Sequence, residues 1–395
     1  MIADLRELDR RTGGPDGARR LCWGEEWRAA RELLVELLAE IGLEGERDEA
    51  GNLWAYLEGG AEPGLALGSH LDSVPGGGWL DGALGVMAAL GVLRAWRESE
   101  VRPPRTLALV DWADEEGARF GRSLFGSSAV AGSLDPAELE GSRDAGGRLA
   151  AEVLAENGVE LEMAPRAAAR RERLGGYLEL HIEQGPVLET ERIAVAAVDG
   201  CVGIERYRMR FAGRASHAGT TPMDARRDAA LAAADAALRI ERVAIESGGM
   251  ATTGQLSLEP GIATAVAGVA VLTVDLRHPE PAGLDRLLSR TLEEAGVAAA
   301  ARACELSEER IWGIQPVRFD PDLVSAAVHA GGGSPLTSGA LHDAAEMARV
   351  MPAAMLFCPS IAGISHAREE DTTEADLAAG VDAFGRLATA ALRRG

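Results

Sequence analysis

Three short apolar runs in this chain stop at side chains suited to bind a metal ion. Residues 65–68 lead to His70, residues 106–110 run into the acidic stretch 111–116, and residues 177–180 lead to His181. Continuous apolar runs of four or five residues read as strands covered on both faces, the habit of a parallel sheet flanked by helices. In open α/β sheets, sites form at the carboxyl ends of strands. Groups more than a hundred residues apart are therefore expected to converge, and the chain is expected to be α/β.

The remaining periodicities fit that frame. Trp27, Ala30, Leu33, Leu34, Leu37, Leu38 and Ile41 fall at helical spacing over residues 24–41. Residues 52–57 alternate like a strand, and residues 83–96 read as a helix just after Asp81-Gly82. Near residue 204 the texture changes. Residues 204–211 alternate strictly, as in a half-buried antiparallel strand. An alanine-rich helix (224–246), strands at 255–258 and 269–276, and a helix at 283–295 follow, a βαββα block. The α/β texture returns with helices at 321–330 and 340–350, a strand at 354–358 and a closing helix at 373–393. The expected organisation is a catalytic domain from residues 1–203 and 316–395, interrupted by an inserted α+β domain at 204–315. Pro103-Pro104 and residues 331–333 are expected in surface loops.

Composition narrows the function. The 395 residues carry a formal net charge of −22, which argues against nucleic-acid or anionic-membrane partners. Every basic residue among the 40 Lys and Arg is arginine. The lack of lysine excludes a P-loop lysine and Schiff-base chemistry, and arginine suits bidentate carboxylate recognition. Cys22, Cys201, Cys304 and Cys358 lie far apart, so a disulfide framework is not expected. The first twenty residues lack an apolar signal core, and no run approaches the roughly 18 apolar residues of a membrane span. A soluble, cytoplasmic protein is expected.

Five segments supply carboxylates or imidazoles: His70-Leu-Asp72, Asp81-Gly82, Asp114-Glu-Glu116, His181-Ile-Glu-Gln184 and Gly363-Ile-Ser-His366. Three histidines with several acids suit one or two borderline divalent ions, Zn, Mn, Co or Ni. Asp72 is placed to accept the second ring N–H of His70. Glu115 and Glu116 are adjacent, so at a strand end they point apart. One can ligate while the other acts as general base on an activated water. Spacing alone chooses no substrate.

Residues 68–86, 114–120, 181–186, 214–223 and 363–366 together resemble the hydantoinase/carbamoylase family of metal-dependent amidases, relatives of the aminoacylase/carboxypeptidase metallopeptidases. The resemblance runs in order along nearly the whole chain. It implies a largely parallel-sheet, metallopeptidase-like catalytic domain with a ferredoxin-like lid and dimerisation domain. His70, Asp81 and His181 would hold one ion, and Asp81, Glu116 and His366 the second. Glu115 would be the base. The histidine at 181 favours a ureido or amide hydrolase over a peptidase. His217 would reach the partner subunit's site of a homodimer and stabilise an oxyanion. Arg277 would clamp a small-molecule carboxylate substrate, with Gln184, Thr264, Gly363 and Ser365 also on the substrate. Thr264 stands where the family has asparagine, Ala267 where it has proline and Leu341 where it has glycine. The implied substrate is an N-carbamoyl-L-amino acid. Allantoate or a ureidopropionate-like compound comes next, then an N-acyl amino acid or dipeptide; a non-catalytic binding module is the remaining alternative.

Overall fold

The computed structural model describes residues 1–331 and 333–393, and Gly332 of the expected 331–333 loop lies outside the described residues. The chain divides into two compact units. One comprises Met1–Gly200 with Arg318–Gly395, the other Cys201–Val317.

The first unit is built on a mixed sheet. Its centre is four parallel strands in the order Ala353–Cys358, Leu174–Ile182, Gly64–His70, Leu107–Trp112. Leu53–Leu57 adds antiparallel beyond Leu107–Trp112, and Ala196–Cys201 adds antiparallel beyond Ala353–Cys358. Every residue of Gly64–His70 and Leu107–Trp112 is buried, as continuous apolar runs require. Helices Ala83–Glu98, Glu25–Glu40 and Glu374–Leu392 contribute to the core. Glu25–Glu40 presents the apolar stripe read from its periodicity, including Leu33, Leu34, Leu37 and Leu38, and Glu374–Leu392 buries Leu377, Phe384 and Leu387. Each fully buried leucine contributes about 1.5–3 kcal/mol by leaving water.

The second unit is a four-stranded antiparallel sheet, ordered Met250–Glu259, Val269–His278, Gly203–Ala212, Glu305–Ile314. Helices Ala229–Ser247 and Pro281–Ala301 pack with it around Met209, Phe211, Leu272, Val274 and Leu287. The chain order is βαββαβ, the ferredoxin-like arrangement.

Differences from the sequence expectations have local causes. The alanine-rich helix starts at Ala229, not 224, because the Asp228 side chain caps it by accepting from Ala230 and Leu231 N–H. The expected helix at 340–350 shrinks to Asp343–Met347. The strand Glu305–Ile314 shows no apolar alternation because most of it is exposed, and in Ala196–Cys201 the apolar run is broken by Asp199-Gly200. Gly331 ends the helix Pro321–Gly331. No helix among the described residues is long and apolar enough to cross a membrane.

Candidate metal centre

The ligand-type side chains of the first unit converge where its parallel strands end. His70 is the last residue of its strand, and His181 is the penultimate residue of the neighbouring strand. Glu115 and Glu116 follow the end of Leu107–Trp112. Asp81 sits in the loop before helix Ala83–Glu98. Gly82 makes that approach possible. Its φ is +66°, and a Cβ there would lie 2.4 Å from the His70 ring.

Asp81 lies between two groups of donors. Its Oδ1 is 3.1 Å from His181 Nε2 and 3.8 Å from His70 Nε2. Its Oδ2 is 3.1 Å from His366 Nε2. Glu116 Oε1 is 3.5 Å from His366 Nε2. In each of the sets His70/Asp81/His181 and Asp81/Glu116/His366, the ligand atoms lie within 4.8 Å of one another. Both buried imidazoles have a fixed orientation. His181 Nδ1 bonds the Ile182 carbonyl at 2.9 Å and His70 Nδ1 the Asp72 carbonyl at 3.1 Å. Each ring therefore donates through Nδ1 and turns the Nε2 lone pair toward Asp81. Lone pairs and carboxylates facing one another in a buried space need a cation or protons between them. Glu116 Oε1 is buried and has no hydrogen-bond partner among the described residues. The donor set thus fits two divalent ions sharing Asp81.

The electrostatics carry the same signature. Burial pushes Glu115 well above the ordinary carboxylate range, with the Asp343 and Glu116 charges adding and the His70 charge opposing. Burial, and then the Asp81 charge, raise Glu116 to about 7. Burial opposes a charged His70, but Glu115, Asp72 and Asp81 outweigh it and hold the ring well above its usual value. The hydrogen bond to Asp81 lifts His366 to about 9. Burial disfavours the Asp81 carboxylate, yet His181, His366 and His70 together hold it well below its usual range.

Glu115 and Glu116 do point apart. Glu115 Oε2 lies 3.6 Å from His70 Nε2, while Glu116 faces His366. The His70 ring meets both the main-chain carbonyl of Asp72 at 3.1 Å and its carboxylate at 3.5 Å. That carboxylate also accepts the N–H of Glu115 at 3.3 Å and of Glu116 at 3.2 Å, aiming both acids. Gln184 Nε2 donates to Asp81 Oδ2 at 2.8 Å and to Ser365 Oγ at 3.2 Å. Gly363 has a φ of +65°, and a Cβ there would lie 3.0 Å from Pro186 N and 3.1 Å from the Gly185 carbonyl carbon. Asp114, Gln184 and His366 all hold positive φ near this centre, the kind of backbone strain that collects at functional sites.

His217, Thr264 and Arg277 lie in the second unit. His217 pairs with Ala265, and Ala218 N–H donates to the Thr264 carbonyl at 3.0 Å, so His217 and Thr264 are neighbours. His217 Nδ1 accepts from Gly219 and Thr220 N–H at 3.0 and 3.2 Å, which leaves the ring proton on exposed Nε2. Arg277 is at the other end of the same ribbon, which runs from the Ile204–Arg277 pair through Ala212–Val269 to Ser216–Val266. The eight steps from Val269 to Arg277 span roughly 26 Å at about 3.3 Å each. Arg277 Nε donates to Asp275 at 2.8 Å.

Several residues of the centre carry no simple sequence signal. Glu179 accepts from Ser69 at 2.7 Å and from Ala344 N–H at 3.0 Å, and its neighbour His342 meets the His181 ring edge-on with ring centroids 4.4 Å apart. A lone acid inside the apolar run 177–180 is the clue that could have marked Glu179. Glu370 accepts from Ser365, but in the sequence it is one member of an acidic triplet.

Residues 66–390 match the model of peptidase family M20/M25/M40. The chain belongs to that family. It is 36% identical to an N-carbamoyl-L-amino-acid amidohydrolase of Paenarthrobacter aurescens, across 97% of this chain and 95% of the relative. It is 34% identical to the allantoate amidohydrolase of Escherichia coli, across 92% of this chain and 90% of the relative. A solved hydantoinase/carbamoylase family amidase from Burkholderia vietnamiensis superposes with a TM-score of 0.87 at 31% identity, covering 98% of this chain and 96% of that one. Both the resemblance and the mixed α/β fold class hold. This M20 enzyme is a metal-dependent amidohydrolase of the carbamoylase/allantoate amidohydrolase group, a hydrolase of C–N bonds in linear amides.

Proposed function

We propose that this enzyme removes the carbamoyl group of an N-carbamoyl-L-amino acid, releasing the amino acid, carbon dioxide and ammonia. The observation that carries the chemistry is the division of labour between adjacent acids. Glu116 faces His366 in the ligand set, while Glu115 stands beside His70 with a raised pKa, suited to a general base.

His70, Asp81 and His181 would hold one ion, and Asp81, Glu116 and His366 a second, from Zn, Mn, Co or Ni. Such ions act as Lewis acids toward the carbonyl and bring the pKa of a water near neutrality. Asp72 aims Glu115, through its main-chain N–H, at the centre. Glu115 takes one proton from the attacking water and returns it to the leaving nitrogen, so base and acid are one carboxyl. Gln184 and Ser365 line the same centre and contact the substrate's polar head beside Gly363.

The inserted unit supplies the rest. His217 presents Nε2–H as a donor for the oxyanion of the tetrahedral intermediate. Arg277 binds the substrate carboxylate bidentately. Thr264, beside His217, offers a shorter polar contact. His217 and Arg277 sit at opposite ends of one ribbon, so a small substrate touching both needs two copies of the chain. This supports a homodimer in which one protomer provides Arg277 and its partner provides a histidine. Leu231, Leu238 and Ile245 are 41%, 59% and 73% exposed at seven-residue spacing on one helix. The adjacent edge strand Met250–Glu259 exposes Leu256 and Leu258. An apolar stripe beside an open edge fits pairing with a second copy.

Allantoate is the second reading, supported by the 34% identity to an allantoate amidohydrolase and by Thr264 and Leu341 at specificity positions. Free amine and ammonia released from N-carbamoyl amino acids, allantoate, ureidopropionate and N-acyl amino acids, with Mn, Zn or Co added, decide between them. The highest kcat/KM is expected on an N-carbamoyl-L-amino acid; turnover confined to another member refutes the proposal.

A further inference from the structure

Given Asp81 as the shared ligand, we propose that Glu370 is the positioning residue that fixes this carboxylate, and that it acts through the main chain of the Asp81 loop. Asp81 must present one oxygen to His181 and His70 and the other to His366. A small rotation of its backbone would lose one group or the other. Yet the loop at residues 76–82 is rich in glycine and has no helix or strand to stiffen it. Glu370 supplies the stiffness. Its Oε1 accepts the N–H of Leu80 at 3.1 Å and of Asp81 at 3.0 Å. Its Oε2 accepts the Ser365 hydroxyl at 2.7 Å.

Ser365 has one hydroxyl proton and two carboxylates in reach, Glu370 at 2.7 Å and Asp81 Oδ2 at 3.2 Å. The shorter contact takes the proton. Ser365 Oγ then accepts from Gln184, whose amide also donates to Asp81 Oδ2 at 2.8 Å. Glu370 thus ties three separate segments together: the Asp81 loop, the Ser365-His366 turn, and through Ser365 the Gln184 side chain. Arg20, fully buried, braces the other side of the loop. It donates to the carbonyls of Leu71 at 2.7 Å and Gly78 at 3.5 Å. Gly78 has no side chain because Glu370 fills its space; a Cβ there would lie 2.0 Å from Glu370 Oε1. Groups outside the ligand set that orient ligands typically govern metal affinity by about 10–100-fold.

The test is Co²⁺ titration of EDTA-stripped full-length protein, followed by calorimetry and visible absorption. Wild type is expected to take up two ions. Glu370→Ala and Gly78→Ala should weaken both binding steps by about 10–100-fold, because Asp81 serves both positions. Gly78→Ala displaces the Glu370 carboxylate without removing it. Glu370→Gln should stay within about threefold of wild type, since its amide oxygen keeps the acceptor for Leu80 and Asp81 N–H on which the proposal rests, while toward Ser365 its NH2 donates where the carboxylate accepted. Alanine variants that bind both ions as tightly as wild type would overturn the proposal, as would Glu370→Gln binding as weakly as Glu370→Ala. If Glu370→Ala does not fold, Gly78→Ala and Glu370→Gln decide the question. A wild type that takes up only one ion would refute the shared-ligand reading itself, a failure distinct from unchanged variants on a two-ion wild type.

Discussion

The two units of this chain hold their candidate residues in opposite ways. In the first, His70, Asp72, Asp81, Glu115 and His181 are all buried and already paired with one another. In the second, His217 and Thr264 are exposed, and Arg277, held by Asp275, is far along the ribbon from both. A buried set of acids and imidazoles is costly unless each charge is matched, so its geometry must be complete within one fold. Exposed groups carry no such demand, and they can be finished by a second copy. Under the proposed function, the difference assigns proton transfer and ion binding to the buried set, and leaves the oxyanion and carboxylate contacts of His217 and Arg277 to be completed by a second copy.

That contrast can be broken at either end. The largest effect is expected at Asp81. Asp81→Ala should abolish uptake of both ions, measured by elemental analysis, together with turnover; retention of two ions would show that the groups do not share a ligand. Glu115→Gln should keep the ions and lower kcat by about 10²–10⁴-fold, and an active variant would remove Glu115 from the base role. Next, His217→Ala should lower kcat by about 10²–10³-fold. Mixing inactive His217→Ala with inactive Glu115→Gln subunits should restore part of the activity, because one of the two shared sites becomes intact. Verified heterodimers without activity would confine His217 to its own chain. Arg277→Ala should reduce kcat/KM by about 10–100-fold, the value of a charged hydrogen bond of 1.5–3 kcal/mol. The loss should vanish for a substrate amide lacking the carboxylate. Last, Leu238→Glu should shift the protein toward monomer in analytical ultracentrifugation while leaving Co²⁺ uptake unchanged.

How much was legible beforehand depended on how the residues are used. The strand ends at His70 and His181 could be read because both-face burial forces a continuous apolar run and the first polar residue ends it. The Glu115-Glu116 doublet could be read because adjacent residues at a strand end diverge. The Asp72 carboxylate could be read only in part: it stands 3.5 Å from the His70 ring, but its bonds to the N–H of Glu115 and Glu116 depend on backbone geometry that spacing does not show. The strand Glu305–Ile314 escaped because an exposed strand needs no apolar alternation. Glu370 escaped because three adjacent acids look alike until one of them turns inward.

The sequence by itself determined the α/β class, the second unit's change of texture, the ligand types and, through its resemblance, the family. Those depend on local pattern: period, chain reversal and residue chemistry are all short-range. The resemblance implied Asp81 in both ligand sets; only the tertiary structure decided the distances at which it faces them, that Glu370 grips its loop and that His217 and Arg277 stand at opposite ends of one ribbon. These are distances between segments remote in sequence, and they are set by strand order, sheet register and the space glycines leave open.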